Sequence, residues 1–236
     1  MKGRTARRFR EVLVGLQFTS AVGLATAAMI MVAQSHHAAH ADLGFARDHL
    51  SIIREASDPA VATRLSTLVN ALSQVEGVEA VGLSNRSPAG TSTTSVDAYQ
   101  PGDTREPSTV VVELVSPGAL SALEVKLVAG RLLSEQFGND VTPKSFQDIA
   151  APGQAVIINE SALQQLGFGT PAAAINKPLR VNNIDVTVAG VIRNVRFNGP
   201  REQVQPVITF LTFQEIDAPT MVVRTREIAD RLSEEL

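Results

Sequence analysis

The four histidines are the residues whose type and spacing come closest to a chemical site, and all of them lie near the beginning of the chain. They are His36, His37, His40 and His49. His36 and His40 share one helical face, a spacing that can hold a metal ion. The pattern is H-H-x-x-H and lacks the glutamate of the zinc-protease motif H-E-x-x-H. We favour polar side chains beside a membrane surface over a metal site, because the sequence offers no further ligand nearby.

The rest of the chain lacks the residue sets of common catalytic sites. No histidine follows His49 and there is no cysteine, so a Ser–His or Cys–His pair has no base and no thiol. Glu113 and Glu124 alternate with apolar residues, as solvated positions do. Gly167-Phe168-Gly169 lacks the third glycine of a dinucleotide loop, and there is no Walker A sequence for an ATPase. We therefore predict no catalytic residue, no cofactor site and no metal site.

The segment Val12–Ala33 contains no ionisable side chain and predicts a membrane-spanning helix. At about 1.5 Å per residue such a helix reaches roughly 33 Å, and the hydrocarbon core of a bilayer measures about 30 Å. Lys and Arg are concentrated before this segment and absent from residues 34–43. The positive-inside rule therefore predicts a cytoplasmic N-terminus, with everything after about Ala33 on the other side of the membrane.

A cleaved signal peptide is the alternative for the same segment. Ala39-His40-Ala41 provides a candidate cleavage site of the A-x-A type. The apolar stretch is longer than the roughly 7–15 residues of an ordinary signal peptide, and the candidate site lies well beyond its end. These two observations favour a retained span.

The charge balance limits the classes of partner. The net charge is −3, and residues 1–11 carry five basic and one acidic side chain (+4), so the remainder carries −7. An acidic outer domain argues against nucleic acid as a partner. Trp is absent and Tyr occurs once, so a stacking platform for bases or sugars is not expected.

Hydrophobic periodicity after the span predicts an α+β domain. A helix opens at Asp58-Pro59, and two polar loops cover Arg86–Ser108 and Gly138–Gln154. Asn159 caps a second helix, and a turn at Asn182-Asn183 joins two strands. The predicted strands are His49–Ile53, Val78–Ser84, Thr109–Val115, Ala155–Ile158, Leu179–Val181, Val186–Ile192, Pro206–Phe213 and Thr220–Thr225; the remaining predicted helices are Ala119–Val128, Ser161–Leu166 and Glu227–Leu236.

The order and spacing of short motifs resemble the MacB-like periplasmic core domain of FtsX/LolC/MacB-superfamily ABC transporter permeases. Arg8-Phe9-Arg10 and the apolar run after it resemble the first helix of such a permease. Glu76 stands where the family usually has proline. The other matching motifs are Asp42-Leu43-Gly44-Phe45, Val75-Glu76-Gly77-Val78, Val81-Gly82-Leu83-Ser84, Gly130-Arg131-Leu132-Leu133-Ser134, Ala155-Val156-Ile157-Ile158-Asn159-Glu160, Lys177-Pro178-Leu179 and Val188-Ala189-Gly190-Val191-Ile192.

The resemblance implies a transmembrane helix followed by a two-lobed periplasmic domain. Residues 1–11 would be a cytoplasmic basic segment, 12–33 the transmembrane helix and 34–45 a stalk. A ferredoxin-like porter lobe would comprise 46–115 with 207–236, and an inserted mixed α/β lobe would comprise 116–206. Family permeases have three more spans after this domain, so the sequence is either a fragment of a permease or a protein with a single span.

The resemblance also implies the function of a permease subunit in the bacterial inner membrane. Its partners would be a separate ABC ATP-binding subunit and a second permease copy or half. A periplasmic partner, or a peptide or lipid substrate, is also possible in such a system, and nucleic acid is not expected. Two alternatives remain open. One is a membrane-anchored binding or scaffold module whose contact surface is the loop Arg86–Ser108, and the other is a domain secreted after cleavage.

Overall fold

A computed structural model of the chain divides it into an N-terminal helical unit, Met1–Asp42, and a globular unit, Leu43–Leu236. The structure describes residues 2–54, 56, 58, 61, 64–86, 94–142, 153–197, 203–213, 216 and 219–226. Helix α1 (Lys2–His40) forms the first unit. Its segment Phe9–Ala38 is long and apolar enough to cross a membrane. The predicted span lies within this helix, whereas its retention in the mature protein stays a prediction.

The globular unit combines short helices with many strands, which confirms the predicted α+β class. The described helices are α2 (Leu65–Ser73), α3 (Ala119–Leu123), α4 (Glu160–Gln165) and α5 (Pro171–Ala174). The described strands are β1 (Leu50–Ile53), β2 (Val78–Ser84), β3 (Thr94–Tyr99), β4 (Ser108–Val115), β5 (Leu127–Gly130), β6 (Val141–Thr142), β7 (Ala155–Asn159), β8 (Pro178–Val181), β9 (Ile184–Ile192), β10 (Val207–Thr212) and β11 (Thr220–Thr225).

Six of these strands close into a barrel. The pairs run β4–β3, β3–β8, β8–β9, β9–β7, β7–β10 and β10–β4. The pairs β7–β9 and β4–β10 are parallel and the other four are antiparallel. Every second side chain on these strands points into the core, where Val112, Ile158 and Phe210 are fully buried. Closure leaves the barrel strands without open edges along most of their length.

The remaining large element is a three-stranded antiparallel sheet in the order β1–β11–β2. Helix α2 covers one face, where Leu65 packs with Val81, Met221 and Val223. Helix α3 lies on the other face, because a Cβ at Gly82 would overlap Ala119, and neighbouring residues of a strand point to opposite faces. In the registered pairing, β2 meets barrel strand β4 at one position, Ser84 opposite Val115.

Several local predictions are confirmed. The side chain of Asn159 accepts a hydrogen bond from the N–H of Ala162 at 2.8 Å and caps α4. Asn182 and Asn183 have φ values of 48° and 67° and form the turn between β8 and β9. Asparagine tolerates this left-handed backbone better than most residues, and two such residues match the twist of a hairpin.

Three strands were not predicted. β3 lies inside the segment Arg86–Ser108 and β6 inside the segment Gly138–Gln154, both of which were expected to be loops. β5 follows α3 where the predicted helix Ala119–Val128 was to continue. β3 carries few apolar residues, but it bonds to β4 on one side and β8 on the other. Tertiary pairing therefore decides its conformation. The C-cap residue of α3, Glu124, has φ 47°, and this left-handed residue ends the helix.

The prediction that Glu113 is solvated is wrong. This residue is 6% exposed, and its Oε2 accepts a hydrogen bond from the hydroxyl of Thr209 at 2.7 Å. Thr209 is the residue opposite Glu113 in the parallel pair β4–β10. The two side chains point away from the barrel core, and their hydrogen bond provides each buried polar group with a partner on the outer face of the barrel. Glu124, in contrast, is half-exposed, as expected.

Other predictions lie wholly or partly outside the described residues. The predicted helix Glu227–Leu236 lies outside the described residues. Pro59, at the expected start of the helix that begins at Asp58-Pro59, also lies outside them, and the structure describes this helix as α2 from Leu65 onward. The predicted boundaries of the two lobes stay a prediction. Three strand pairs join the segments assigned to different lobes, namely β3 with β8, β10 with β7 and β10 with β6.

Candidate functional site

We call the first residues of the globular unit, Leu43–His49, the junction segment, because they follow the helical unit Met1–Asp42 in the chain. Leu43, Gly44 and Phe45 are buried. The carbonyl of Leu43 accepts a hydrogen bond from the N–H of Arg196 at 2.9 Å. The segment therefore begins by packing on the chain that follows barrel strand β9.

Position 44 requires glycine, because a side chain there would be excluded by both the backbone conformation and a neighbouring carbonyl. Its φ is +84°, and a Cβ there would overlap the carbonyl oxygen of Asn194. The sequence predicted left-handed backbone at Gly44 as a helix terminator, and the conformation is confirmed. Its role differs from that prediction, since α1 ends at His40. Gly44 instead allows the backbone of the junction segment to touch the backbone of residues 194–195.

An aromatic contact fixes the next residue. The ring of Phe45 packs on that of Phe197 with centroids 5.5 Å apart and the planes tilted by 51°. The guanidinium carbon of Arg86 lies 5.6 Å from the centroid of the same Phe197 ring. Such geometry is typical of a cation–π contact. Arg86 immediately follows Ser84-Asn85 at the end of β2, so this stack connects the junction segment to β2 as well as to the barrel.

The second half of the junction segment meets a buried arginine of β11. The Nη1 of Arg224 donates to the carbonyl of Asp48 and its Nη2 to the carbonyl of Ala46, each at 2.8 Å. Its Nε donates to the carbonyl of Ala122 in α3 at 2.6 Å. The N–H of Ala46 also donates to the carbonyl of Leu123 at 3.2 Å. The junction segment is thus held on one side by the barrel and on the other by α3 and β11.

A groove of about 800 Å³ lies between α2 and the end of barrel strand β10. Its described lining mixes apolar side chains with hydroxyls, and Glu135 is the charged residue among them. Ser116 is one of the lining residues; its hydroxyl accepts from the N–H of Leu83 at 2.8 Å and its own N–H donates to the carbonyl of Leu83. Phe213, at 60% exposure, stands open at the groove. A concavity of this size, with apolar walls and a few polar groups, could take a ligand.

Three ion pairs of the globular unit shift the pKa of their members. Hydrogen bonds from Arg180 lower the pKa of Asp185, and hydrogen bonds from Arg105 lower the pKa of Asp103. A bidentate contact to buried Asp140 raises the pKa of Arg131. Arg180 also interacts with the side chain of Tyr99, which raises the pKa of the arginine further.

The structure does not describe the side chain of His40, so it does not test the expected shared face of His36 and His40. Among the described residues, no group of three or more His, Cys, Asp and Glu side chains could hold a metal ion. His49 ends the junction segment with φ 59°. Gly167 follows α4 with φ 75°, and the guanidinium of Arg105 covers it. That glycine ends a helix, as predicted.

Sequence reasoning missed Arg224, which was read only as one residue of a strand. A signal was present in the sequence TMVVRT. Arginine is seldom buried unless its donors are satisfied, and the neighbours of Arg224 are β-branched residues typical of a covered strand. An arginine in such a strand indicates main-chain or carboxylate partners inside the fold. The identity of those partners, however, depends on tertiary contacts.

These features define the class of protein as a globular α+β domain joined to a helix that can cross a membrane. The sequence matches the MacB-like periplasmic core domain over residues 14–234, and the chain belongs to this family. The resemblance stated above is thereby confirmed. The family is a periplasmic component of ABC-type transporter permeases.

Two solved structures are among those similar to this chain. The periplasmic region of MacB from Actinobacillus actinomycetemcomitans is 14% identical, with a TM-score of 0.49 and 81% of each chain covered. The extracellular domain of the noncanonic ABC-type transporter YknZ from Gram-positive bacteria is 17% identical, with a TM-score of 0.45, over 70% of this chain and 74% of that one. A search of curated proteins gave no match.

Proposed function

We propose that the chain is a permease subunit, or part of one, of an ABC-type transporter. In this proposal a separate ATP-binding subunit drives motion of the membrane helices, and the globular unit uses that motion for export or for signalling across the membrane. The observation that carries the proposal is the double attachment of the junction segment. The barrel holds this segment through Leu43 and Phe45, and Arg224 holds it through Ala46 and Asp48, so it is attached to two parts of the globular unit.

The charge distribution supports an orientation for this arrangement. We place α1 across the bacterial inner membrane, with residues 1–11 in the cytoplasm and the globular unit in the periplasm. Five of the first eleven residues are basic, and residues 34–43 contain no Lys or Arg. This asymmetry is what the positive-inside rule requires.

The partners follow from the same proposal. An ABC ATP-binding subunit would contact the cytoplasmic side, and a second permease copy or half would complete the membrane domain. Residues 46–115 with 207–236 would act as a porter-like lobe and residues 116–206 as an inserted lobe. The globular unit would also meet a periplasmic partner, or a peptide or lipid substrate.

The chain contains no cysteine, which makes a direct test of coupling straightforward. Gln164 is exposed on α4 and forms no side-chain bond to the barrel, so Gln164→Cys offers a single site for a donor fluorophore. The tagged full chain is purified from its native membranes with its bound partners and reconstituted into vesicles that contain acceptor lipids. Energy transfer then reports the distance from the globular unit to the bilayer surface.

We expect an ATPase subunit to copurify and the energy transfer to change with ATP and with ATP plus vanadate, but not with ADP. A two-state domain whose equilibrium is biased by nucleotide gives this result. Energy transfer that is identical in all nucleotide states, in a preparation that contains the ATPase, would contradict the coupling role. It would favour a membrane-anchored binding module, for which the groove beside α2 is the supporting observation.

A further inference from the structure

The groove beside α2 lies where the two hydrophobic clusters of the globular unit meet. Leu83 lines the groove, and it packs against both the barrel core and the cluster beneath α2. The groove volume of about 800 Å³ is that of a site for a drug-sized molecule. Because its walls come from α2 on one side and from the end of β10 on the other, a molecule bound there would touch both parts of the globular unit.

Helix α2 forms one wall and presents an apolar row and a polar row to the groove. The apolar row is Leu65 and Val69, four residues apart. The polar row beside it consists of Ser66, Asn70 and Ser73, at spacings that keep them on one face of the helix. All three polar residues are exposed, and none is charged. This wall therefore offers apolar contact along one side and uncharged hydrogen-bonding groups along the other.

The other wall ends in an exposed aromatic ring. Phe213 follows β10 and is 60% exposed, whereas the other described apolar residues of the lining are buried or half-buried. An aromatic ring in that position offers apolar area to a ligand and attracts a cation through its negative face. Phe213 thus suits a ligand that combines an apolar body with a positive charge.

The described charge of the groove is negative. Glu135 is exposed and is the one charged residue among the described lining residues, which include no Lys or Arg. The nearest arginine along the chain, Arg131, binds Asp140 through two hydrogen bonds and stacks on Phe137, so its charge is already paired. Among the described residues, none forms an ion pair with Glu135. Its carboxylate is therefore available to a positive group of a ligand.

The adjoining sequence and the chain beyond its basic N-terminus have the same sign of charge. The segment after Phe213 reads Gln-Glu-Ile-Asp and adds two acids but no base. The net charge is −3 and residues 1–11 carry +4, so residues 12–236 carry −7. Such a field attracts cations and repels anions. An anionic ligand is thus disfavoured, because no base among the described lining residues would pair with it.

We propose that the groove beside α2 is a binding site for a cationic amphiphile, a small molecule with an apolar body and one ammonium group. The apolar body would lie on Leu65, Val69 and Leu83. The ammonium group would meet Glu135 and the face of Phe213, which line the same groove. The use of such a molecule as a substrate rests on the proposed function, whereas its binding needs no ATPase and no nucleotide.

Photochemical labelling of the full chain, in a nonionic detergent at low salt and without nucleotide, tests this binding. The probe is an alkyl chain that bears a diazirine and ends in a trimethylammonium group. A neutral analogue ends in tert-butyl, which has the same shape, and an anionic analogue ends in sulfonate. Mass spectrometry of the digested chain locates the adducts, and competition with the same compounds lacking the diazirine gives their affinities.

We expect saturable adducts of the cationic probe on peptides that contain α2 or the end of β10. The trimethylammonium compound should bind about fivefold more tightly than its tert-butyl analogue, as an exposed ion pair allows. This preference should shrink as salt is raised. The sulfonate analogue should bind most weakly. Equal labelling by the three probes, or adducts of the cationic probe only outside the groove, would overturn the proposal.

Two pairs of variants separate the charge of the groove from its shape. Glu135→Gln should abolish the preference for the cation, whereas Glu106→Gln, which changes the net charge equally at an exposed residue outside the lining, should retain it. Asn70→Trp fills the groove from α2 and should weaken binding of the cationic and neutral compounds by roughly tenfold. Thr67→Trp, exposed on the same helix but outside the lining, should not weaken it.

All four positions are exposed, so each variant should fold, and its melting temperature verifies this. An unchanged preference in Glu135→Gln, or unchanged labelling in Asn70→Trp, would overturn the proposal. The energy-transfer assay keeps this result apart from the proposed function. An ATP response without groove binding would leave the permease role standing and refute the ligand class. Groove binding without an ATP response, in a preparation that contains the ATPase, would refute the coupling role and leave the binding site standing.

Discussion

Replacing Asn159 by alanine should destabilise the globular unit far more than a typical helix-cap substitution. Asn159 is 4% exposed at the point where β7 passes into α4. Its Oδ1 accepts from the N–H of Ala162 at 2.8 Å and from the N–H of Val207 at 3.0 Å. Its Nδ2 donates to the carbonyl of Gln205 at 2.8 Å. One side chain thus caps a helix and also fixes the start of β10.

The expected magnitude follows from these bonds. Loss of an N-cap acceptor costs about 1 kcal/mol. The N–H of Val207 is also left without an acceptor in a buried place, which adds about 1–3 kcal/mol. The carbonyl of Gln205 belongs to an exposed residue and can bond to water, so loss of its bond to Asn159 adds little to the destabilisation. We expect Asn159→Ala to lower the free energy of unfolding by roughly 3 kcal/mol.

Thr170→Ala is the matched control. Thr170 also caps a helix, α5, and its Oγ1 accepts from the N–H of Ala173 at 3.3 Å. This bond is exposed and serves the helix alone. Its loss should cost about 0.5–1 kcal/mol. The difference between the two variants therefore isolates the tertiary part of the role of Asn159.

Urea titration of the full chain in detergent, followed by circular dichroism, provides the measurement. The chain has no tryptophan and one tyrosine, so intrinsic fluorescence is a poor probe. The two variants should have the same slope with urea and different midpoints, as expected for a change in stability alone. Equal losses in Asn159→Ala and Thr170→Ala would refute the reasoning, because they would show that the bond to Val207 contributes nothing.

Three further predictions concern single residues. Gly44→Ala should lower the free energy of unfolding by about 2 kcal/mol or more, since the new Cβ combines left-handed backbone with a clash. Gly138→Ala, where nothing lies within 4 Å of the new Cβ, should leave stability unchanged. Equal melting temperatures of the two variants would contradict this prediction. Arg180 lowers the pKa of Asp185 below the ordinary 3.8, so the stabilisation is present above that pH and is lost as the pH falls through the lowered pKa. Melting temperatures of Asp185→Asn and the parent chain should therefore differ at pH 7 and converge below about pH 3.8; a constant difference would exclude this cause. Asn183→Val, at φ 67°, should lower the free energy of unfolding by about 1–2 kcal/mol in a urea titration, and an unchanged midpoint would show that the turn is not strained.

The parts of the fold that the sequence predicted well are those set by local rules. The strand Thr220–Thr225 and the cap at Asn159 follow from β-branching and from capping chemistry within a few residues. The turn at Asn182-Asn183 follows from the tolerance of asparagine for left-handed backbone. In each case the residue that determines the structure lies inside the element or beside it.

The parts that were missed depend on partners distant in the chain. β3 becomes a strand because β4 and β8 flank it, and Glu113 is buried because Thr209 of β10 lies opposite. The closed barrel itself depends on the parallel pair β4–β10, between segments separated by about ninety residues of sequence. No local pattern contains that pairing, since hydrophobic alternation gives the face of a strand but not its neighbour.

The same division explains how much of the candidate site could be predicted. The motif Asp42-Leu43-Gly44-Phe45 was visible as a resemblance, and Gly44 was expected to be left-handed. What Gly44 touches, and the stack of Phe45 on Phe197, became visible only in the structure. Arg224 was read as an ordinary strand residue, because its partners are carbonyls, which every residue carries. A site made of main-chain acceptors leaves little trace in the sequence beyond the buried donor itself.

The double attachment of the junction segment has a consequence for the globular unit as a whole. In the registered pairing, the sheet β1–β11–β2 and the barrel meet along β2 and β4 at one position, Ser84 opposite Val115. The side chain of Asn85 extends this contact by accepting from the N–H of Leu114 at 2.8 Å. The junction segment spans the same boundary, since Phe45 packs on the barrel side and Arg224 binds from the sheet side. The lining of the groove beside α2 also comes from both parts, with Val81 on the sheet side and Thr212 at the end of β10, so a change in the separation of the sheet and the barrel would alter the groove.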